Sequence, residues 1–464
     1  MPSVPNRLSF ALCACLAAAL CGVACRRSVR PASESDAGAA PLPAASADAG
    51  ASTADRPAPG SIRALSDQDW VRAAELPTQC AVHLARDPGR VVEPLAFEPC
   101  SDGPEGCRSF VSRWTSEGNS IFGRAEAIVP VGSKTFFVSK RQEYDANLHV
   151  KRVLHVVEQV DGASVFALAV DKAHTTDCAV EIAAGSQGIA ITAFADREEG
   201  NWLWIGTSSW ERPLEVKWTK IVFDARQATQ PGYSAPSGYS AAGVWLGDER
   251  RFSLYRAGAT TLLSPTLSEL DMGLDSALVS GEGAWTVLFR FSQSVAGAIG
   301  YVDRQARLHL VRKAPSGESI SHLAVDRSRG GALVWLQGGQ AEESVLFSAD
   351  KPAAPAELKP RQVTTLPFRW SSVTSLVADR GSVALLVGSD ANIPAEAHMV
   401  RADTGVRWKL PALRDRWWTR IAGFTETELW IWTSTPSKVG SSGIVRFRLD
   451  AIAAPSSLPL SPRP

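Results

Sequence analysis

Short apolar segments separated by polar turns fill the chain from about residue 120 to residue 450. Each unit of the pattern has a glycine in a turn, an apolar segment, a polar turn and another apolar segment. The segments are short and rich in Val, Ile, Leu, Phe, Trp and Thr, and turn sequences such as Asp161-Gly162 divide them, which is typical of strands. No helical periodicity persists beyond two or three turns. The pattern therefore predicts an all-β chain.

The unit recurs seven times, at spacings between 40 and 56 residues, and its glycines are Gly132, Gly188, Gly243, Gly283, Gly331, Gly381 and Gly423. Four strands can be recognised in the first unit, within residues 124–170. A lone four-stranded sheet cannot bury both faces, whereas seven sheets packed around an axis cover one another. The pattern over residues 120–452 resembles the seven-bladed β-propellers. It contains neither a recurring Trp-Asp pair nor recurring double glycines, so the resemblance is to the architecture and to no named family.

Residues 61–119 carry three of the four cysteines that lie outside the N-terminal segment, and we interpret this stretch as a Cys-containing lead-in. We expect it to supply a strand that closes the ring against the last blade; a separate small domain is the alternative. The four cysteines, Cys80, Cys100, Cys107 and Cys178, predict two disulfides, because their spacing matches no zinc site. Of the three possible pairings we expect Cys80 with Cys100 and Cys107 with Cys178.

Residues 1–24 have the composition of a secretory signal peptide. One cation, Arg7, precedes an uncharged apolar run over residues 8–24 that is rich in alanine. The run ends in Gly22-Val23-Ala24-Cys25, which resembles the bacterial lipoprotein box. The resemblance implies a lipid anchor on Cys25. A retained membrane anchor is one alternative, and simple cleavage with secretion is another.

Residues 25–60, which follow the lipid site, are dominated by Ala, Ser, Asp, Pro and Gly and lack aromatic side chains. Such a segment buries too little apolar surface to offset its ordering entropy, so we expect a disordered tether. The proline-rich residues 453–464 predict a disordered tail. Arg26, rather than an aspartate, follows the lipid site, which points to the outer membrane in the lipoprotein resemblance.

The charges balance, with 48 basic and 48 acidic residues, which argues against nucleic-acid binding. The chain contains no nucleophile elbow, no His-Glu-x-x-His sequence, no phosphate loop and no dinucleotide fingerprint. We therefore assign no catalytic residue, no metal ligand and no cofactor.

The 15 tryptophans fall into two groups. Those in the strands that follow the repeat glycines predict packing between blades, and they are Trp245, Trp285, Trp335, Trp430 and Trp432. Arg369 with Trp370, and Trp417 with Trp418, stand where the sixth and seventh units begin. In propellers such connections form one end of the central channel, and Trp and Arg are enriched in binding hot spots. These four are our candidate binding residues, with core packing as the alternative.

Together these features predict an exported, surface-tethered, monomeric propeller that binds an envelope protein or polysaccharide without catalysis. A carbohydrate-active hydrolase or lyase on the same scaffold is one alternative, and non-catalytic carbohydrate binding is another, because fold alone does not choose among them.

Overall fold

A computed structural model of the chain describes residues 67–452 except 79, 93–94, 112–120, 145–149, 172–177, 196–201, 222–234, 248–251, 264–271, 281–282, 291–294, 340, 352–357, 389–394, 415 and 435–441. The predicted signal peptide, the lipid site Cys25, the tether and the tail lie outside the described residues. No helix in the described part is long and apolar enough to cross a bilayer.

The lead-in contains β1 (Trp70–Arg72), β2 (Val82–Ala85), the single-turn helix α1 (Pro88–Val91), β3 (Glu98–Pro99) and β4 (Arg108–Val111). The strands that follow group into seven antiparallel meanders, the blades. Blades 1 to 3 contain β5 (Ile121–Val131), β6 (Lys134–Tyr144), β7 (Val150–Gln159) and β8 (Ser164–Asp171) in blade 1; β9 (Ala179–Gly185), β10 (Gly188–Ala195), β11 (Trp202–Ser209) and β12 (Lys217–Ile221) in blade 2; and β13 (Ala235–Ser240), β14 (Gly243–Gly247) and β15 (Phe252–Tyr255) in blade 3. Blades 4 and 5 contain β16 (Met272–Ser280), β17 (Gly283–Arg290), β18 (Val295–Val302) and β19 (Leu308–Lys313) in blade 4; and β20 (Ser319–Asp326), β21 (Ala332–Gly338), β22 (Ser344–Ala349) and β23 (Arg361–Leu366) in blade 5. Blades 6 and 7 contain β24 (Val373–Asp379), β25 (Ser382–Val387), β26 (Glu396–Arg401) and β27 (Arg407–Lys409) in blade 6; and β28 (Trp417–Phe424), β29 (Glu428–Ser434) and β30 (Ser442–Arg448) in blade 7.

The first strands of the blades contact one another around a ring, and β28 of the last blade contacts β5 of the first. The protein is therefore a seven-bladed β-propeller, as the repeat predicts. Within blade 5, burial is greatest at the second strand: every residue of β21 is buried, whereas half of the residues of β23 at the outer edge are exposed and only one is buried. Blades packed face to face cover both sides of a middle strand, which explains why these strands read as continuous apolar runs.

The repeat glycines mark the turns between the first and second strands of the blades, except that Gly423 lies inside β28 shortly before its turn. At Gly188 the backbone φ is 147°, a value that favours glycine. A Cβ atom there would lie 1.8 Å from the carbonyl oxygen of Ser208 on β11, so only glycine fits. The five tryptophans that follow these glycines are buried, as their spacing predicts.

The lead-in closes the ring, which confirms one of the two interpretations of residues 61–119. β4 pairs with β30 in register Phe110 opposite Ile444, and β3 follows it, so blade 7 has three strands from the C-terminal side and two from the lead-in. β1 and β2 extend the outer edge of blade 1 through β8. The lead-in therefore holds the two blades that meet where the ring closes, a region we call the closing seam.

The same four cysteines that we expected to pair do form two disulfides, but the predicted pairing is wrong. Cys80 pairs with Cys178, and Cys100 pairs with Cys107, at Cα–Cα distances of 5.2 and 5.4 Å. Cys100 and Cys107 lie on the β3–β4 hairpin, where the Cys100 N–H donates to the Cys107 carbonyl at 3.0 Å. Cys80 lies two residues before β2, and the pairing of β2 with β8 brings it to the start of blade 2.

Candidate functional site

The two ends of the propeller differ because the strands of a meander alternate in direction. The turns between first and second strands, and those between third and fourth strands, lie at what we call the turn end. Connections between blades lie at the opposite end, which we call the loop end. Trp417 and Trp418 begin β28, and Arg369 and Trp370 lie at the start of the short 3-10 turn (Trp370–Ser372) that leads into β24, so all four belong to the loop end.

Two adjoining cavities open at the turn end, and Tyr239 and Ser240 line both. The larger has a volume of about 530 Å³ and lies over blades 2 to 4, and the smaller has about 310 Å³. The smaller is lined by parts of blades 1, 2, 3 and 5, so it is the mouth of the central channel. We call the two together the channel-mouth groove; its described lining residues are Pro130, Ala184, Gly185, Ser186, Gln187, Ser237, Gly238, Tyr239, Ser240, Ala241, Ala242, Gly243, Arg256, Ala257, Arg304, Gln305, Arg327, Gly330, Gly331 and Lys351.

The floor of the groove is fixed by a close approach between blades 2 and 3. A Cβ atom at Gly185 would lie 2.1 Å from the carbonyl oxygen of Tyr239, so the two backbones meet only because residue 185 is glycine. The Gln187 N–H donates to the same Tyr239 carbonyl at 3.3 Å. The Trp210 indole N–H donates to the Gly185 carbonyl at 2.8 Å, and its ring stacks on Phe136. Tyr239 is thus held between the two cavities by backbone contacts.

The larger cavity takes its cations from Arg256 and Arg304. Arg304 lies in the turn between β18 and β19, where the Asp303 carboxylate accepts the N–H groups of Gln305 and Arg307 at 2.8 and 2.9 Å. A second contact of Asp303, to the His309 ring at 2.8 Å, turns this carboxylate toward its own hairpin. The Arg256 guanidinium donates to the Arg304 carbonyl, which joins the turns of blades 3 and 4.

The smaller cavity takes its cations from Arg327 and Lys351. Both side chains are exposed, and neither forms an ion pair with a described residue. The neighbouring Asp326 is buried and engaged elsewhere, because it accepts the N–H groups of Arg380 and Gly381 at 3.0 and 2.7 Å. The two cations are therefore left to solvent or to a ligand.

The protonation state of Arg327 follows from its position. Desolvation by the surrounding protein lowers the pKa of its guanidinium, although part of the side chain reaches solvent. The carboxylate of Asp379 acts in the opposite sense. A guanidinium keeps its proton far above neutral pH, so the side chain remains a cation there.

The described residues of the groove lining include four cations and no Asp, Glu, His or Cys. In the same described part of the chain, no group of three or more such side chains could hold a metal ion. Serine and tyrosine hydroxyls, two glutamine amides and glycine backbone supply the remaining polar groups. The arrangement can bind an anion by charge and by hydrogen bonds.

At the loop end, Arg369 and Trp370 contact the preceding blade. Trp370 is half-buried, and its indole N–H donates to the Gly339 carbonyl at 3.2 Å. Arg369 is exposed and forms an ion pair with Glu342, which lies in the connection from β21 to β22. Both residues thus brace the connection that carries the chain from blade 5 to blade 6.

Trp417 and Trp418 begin β28 in blade 7. Trp418 is buried, and its ring meets Phe447 edge-on with centroids 5.8 Å apart, whereas Trp417 is half-buried. Neither pair of predicted residues lines the groove, and the two pairs belong to different blades. Their role in binding stays a prediction.

No family model matches the chain, and no curated protein matches it. Similar solved structures include the β-propeller domain of the Trilobed protease from Pyrococcus furiosus, at 10% identity over 68% of this chain and 93% of that chain, with a TM-score of 0.41. An oligogalacturonate lyase from Vibrio parahaemolyticus is 12% identical over 76% of this chain and 97% of that chain, with a TM-score of 0.44. A prolyl endopeptidase structure is 13% identical over 70% of this chain and 50% of that chain, with a TM-score of 0.44. At such identities the likeness concerns the fold alone.

Motif searching missed the four groove cations because they come from separate turns in three blades. A usable signal was nonetheless present. Once the repeat glycines define the first turn of each unit, the chain can be divided into residues at the turn end and residues at the loop end. Arg327 lies in the turn that contains the double glycine Gly330-Gly331, so the repeat alone assigns it to the turn end.

Proposed function

We propose that this chain is an exported, non-catalytic binding propeller whose ligand is another macromolecule of the cell envelope, held in the channel-mouth groove. The observation that carries the proposal is the pair of open cavities with four cations and no described acidic lining residue. The described lining supplies no carboxylate beside the exposed Arg327 and Lys351, and an exposed charge gains most from a ligand that replaces its water with direct hydrogen bonds.

The shape of the groove supports a macromolecule rather than a small metabolite. The two cavities adjoin and both open to solvent, whereas small-molecule sites bury most of the ligand in a mainly apolar pocket. The described lining has no large aliphatic side chain that would form such a pocket. The side chains most often used for acid–base catalysis, His, Asp and Glu, are missing from the described lining, so we favour binding over catalysis.

Two disulfides in the described part of the chain support the exported location, because such bonds persist in oxidising compartments. The anchor on Cys25 is part of the proposal, on the strength of the lipoprotein-like sequence alone. A lipid-held propeller would keep the groove close to the ligands that surround the membrane.

The test is cross-linking in intact cells that produce the full chain, followed by fractionation and affinity capture. The parent chain is expected in the membrane fraction with cross-linked material attached, and Cys25→Ser is expected in the soluble fraction. Arg327→Gln/Lys351→Gln should lose the cross-linked material, while the loop-end variant Trp370→Ala/Trp417→Ala should keep it. Loss in the loop-end variant alone would move the binding surface to the other end. No cross-linked material with any chain would contradict the binding function.

A further inference from the structure

The smaller cavity of the channel-mouth groove has the size of a site for one ligand group. Its volume of about 310 Å³ lies at the lower end of the roughly 300–1,000 Å³ of small-ligand sites, which suits one unit or one end group of a macromolecule. Turns and strand ends of blades 1, 2, 3 and 5 form its walls. Groups that line the cavity therefore approach a ligand from several sides of the channel.

Two exposed cations, Arg327 and Lys351, line this cavity, and its described lining contains no carboxylate. Neither cation forms a salt bridge with a described residue. The Asp379 carboxylate, which acts on the charge of Arg327, is engaged by its own neighbours: it accepts the Ser328 N–H at 3.3 Å and pairs with Arg380 at 3.6 Å. Both cations thus keep hydrogen-bond donors for a ligand.

The turn that carries Arg327 is held in place by the buried carboxylate of Asp326. This carboxylate accepts the N–H groups of Arg380 and Gly381, in the adjacent turn of blade 6, at 3.0 and 2.7 Å. Within its own turn it accepts the Arg329 N–H at 3.1 Å. The turn is therefore ordered before a ligand arrives, and less conformational freedom is lost on binding.

Two serine hydroxyls add neutral donors to the cavity lining. Ser237 lies in β13, the innermost strand of blade 3, at a bulge: Pro236 and Gly238 pair with β14, whereas Ser237 is left out of the ladder and exposed. Ser186 is exposed in the turn between β9 and β10. Neither hydroxyl bonds to a described residue, so each can donate to an anion.

These donors suit a phosphate group better than a carboxylate. A carboxylate presents two oxygens in one plane, which a single arginine can satisfy through two parallel hydrogen bonds. A phosphate monoester presents three strong acceptor oxygens and carries nearly two negative charges at neutral pH. A guanidinium, an ammonium and two hydroxyls, which come from three blades, match the larger number and wider spread of the phosphate oxygens.

We infer that the smaller cavity binds a phosphate monoester group, with Arg327 and Lys351 as its cations and Ser186 and Ser237 as its hydroxyl donors. This inference rests on the proposed function, because it names the chemistry that the same groove recognises on its ligand. A phosphorylated sugar of an envelope glycan and free inorganic phosphate share this chemistry, and the experiment below separates them.

The experiment is calorimetric titration of the full chain at an ionic strength of about 0.15 M, which screens distant charges. The ligands are glucose 6-phosphate, glucuronate, glucose and inorganic phosphate; the first three share one sugar ring and differ in its phosphate, carboxylate or neutral group. We expect glucose 6-phosphate to bind about 10-fold more tightly than glucuronate, because its additional oxygens use donors that a carboxylate leaves unused. Tighter binding of glucose 6-phosphate than of inorganic phosphate would identify a phosphorylated glycan as the source, and equal binding would identify the free ion.

Arg327→Gln and Lys351→Gln should each weaken the binding of glucose 6-phosphate about 10-fold, and Ser237→Ala about threefold, because a neutral donor contributes less than a charged one. Arg329→Gln is the matched control. Arg329 is exposed on the same turn as Arg327 but is not part of the described lining, and its substitution changes the net charge equally. It should bind like the parent, and all variants should unfold at the parent's urea concentration.

Equal binding of glucuronate and glucose 6-phosphate, no binding of either phosphate, or an equal loss in Arg329→Gln would overturn the inference. If one of these results is found while cross-linking in cells still maps to the groove, the phosphate chemistry is wrong and the binding function stands. If glucose 6-phosphate binds as expected but no cross-linked material forms, the phosphate site stands and the macromolecular ligand is wrong. If both experiments fail, both proposals fall.

Discussion

Arginines lie in both the closing seam and the channel-mouth groove, but the two sets have opposite surroundings. In the seam, Arg446 is buried between the rings of Phe97 and Trp430, with its guanidinium carbon 4.7 Å from each centroid. It also donates to Asp161 at 2.7 and 3.0 Å and to Glu428 at 2.8 Å. In the groove, Arg327 is exposed and forms no salt bridge with a described residue, although the Asp379 carboxylate acts to raise the pKa of its guanidinium. Residue type alone therefore says little about role, and the partners decide it.

The seam is held by further interactions of the same kind. Arg141 and Glu158 form a buried ion pair in blade 1, and Phe110, Ile128, Phe137, Trp430, Trp432 and Ile444 form one apolar cluster across the junction. Every charge named here is paired, as a buried charge requires. The comparison predicts that seam variants change stability and groove variants change binding.

The largest effect is expected for Arg446→Met. The substitution keeps apolar bulk between the two rings but leaves the Glu428 carboxylate buried with one fewer cation beside it. Removing one partner of a buried ion pair costs about 3–5 kcal/mol, so the free energy of unfolding in urea should fall by that amount. Arg448→Met is the control on the same strand, because Arg448 is exposed and pairs with exposed Asp450; its urea midpoint should stay close to the parent's. An unchanged midpoint for Arg446→Met would show that the seam does not depend on its ion pairs.

A smaller change in the free energy of unfolding is expected when the pH is lowered, because of His155 in β7 beside the seam. Burial, with the Lys140 ammonium as a second cause, lowers the pKa of His155 from 6.5 to about 3. Above pH 6.5 the histidine is neutral in both states, and below it the unfolded chain gains the proton first. Stability should therefore fall between pH 6.5 and pH 3, by about 2 kcal/mol at pH 5.

His155→Leu removes this titration, so its free energy of unfolding should change less than the parent's between pH 6.5 and pH 5. Urea unfolding at several pH values measures the difference. The interval between pH 6.5 and pH 5 is the most informative, because most carboxylates titrate at lower pH. Parallel curves for the two chains would mean that His155 is not the buried base that the structure shows.

The smallest effect on stability is expected for Arg327→Gln. An exposed cation that forms no salt bridge contributes little to folding, so the free energy of unfolding should change by less than about 0.5 kcal/mol. Urea unfolding beside Arg446→Met provides the measurement. A loss comparable with that of Arg446→Met would remove the distinction between seam and groove.

The parts of the fold that the sequence predicts are those that depend on local chemistry or on the repeat. A repeat glycine marks the first turn of most blades, at Gly188 because only glycine fits there, and large aromatic side chains such as Trp245 follow where blades pack. The lead-in strand β4 could be anticipated because a ring of sheets leaves an unpaired edge. The disulfide pairing could not, since it depends on β2 joining blade 1 and on the β3–β4 hairpin.

The groove could not be predicted either, because it also depends on contacts between residues that are far apart in the sequence. Its four cations are separated along the chain and meet only when turns from different blades gather at one end. Arg369 with Trp370, and Trp417 with Trp418, are conspicuous in the sequence because each pair is contiguous. Contiguous residues can equally serve to hold their own interblade connection against a neighbouring blade. Trp370, which bonds to the blade before it, shows this ambiguity.

Ring closure by β4 and β30 has a consequence for the order in which the protein can be made. The ribosome releases β4 early and β30 after every other described strand, with more than three hundred residues between them. Blades 2 to 6 can form as they emerge, while β4 waits with an unpaired edge that can attract other chains. The final structure is completed only when the last strand arrives. Synthesis that stops before β30 would therefore leave not a shortened propeller but an open one, exposed to proteolysis at both edges.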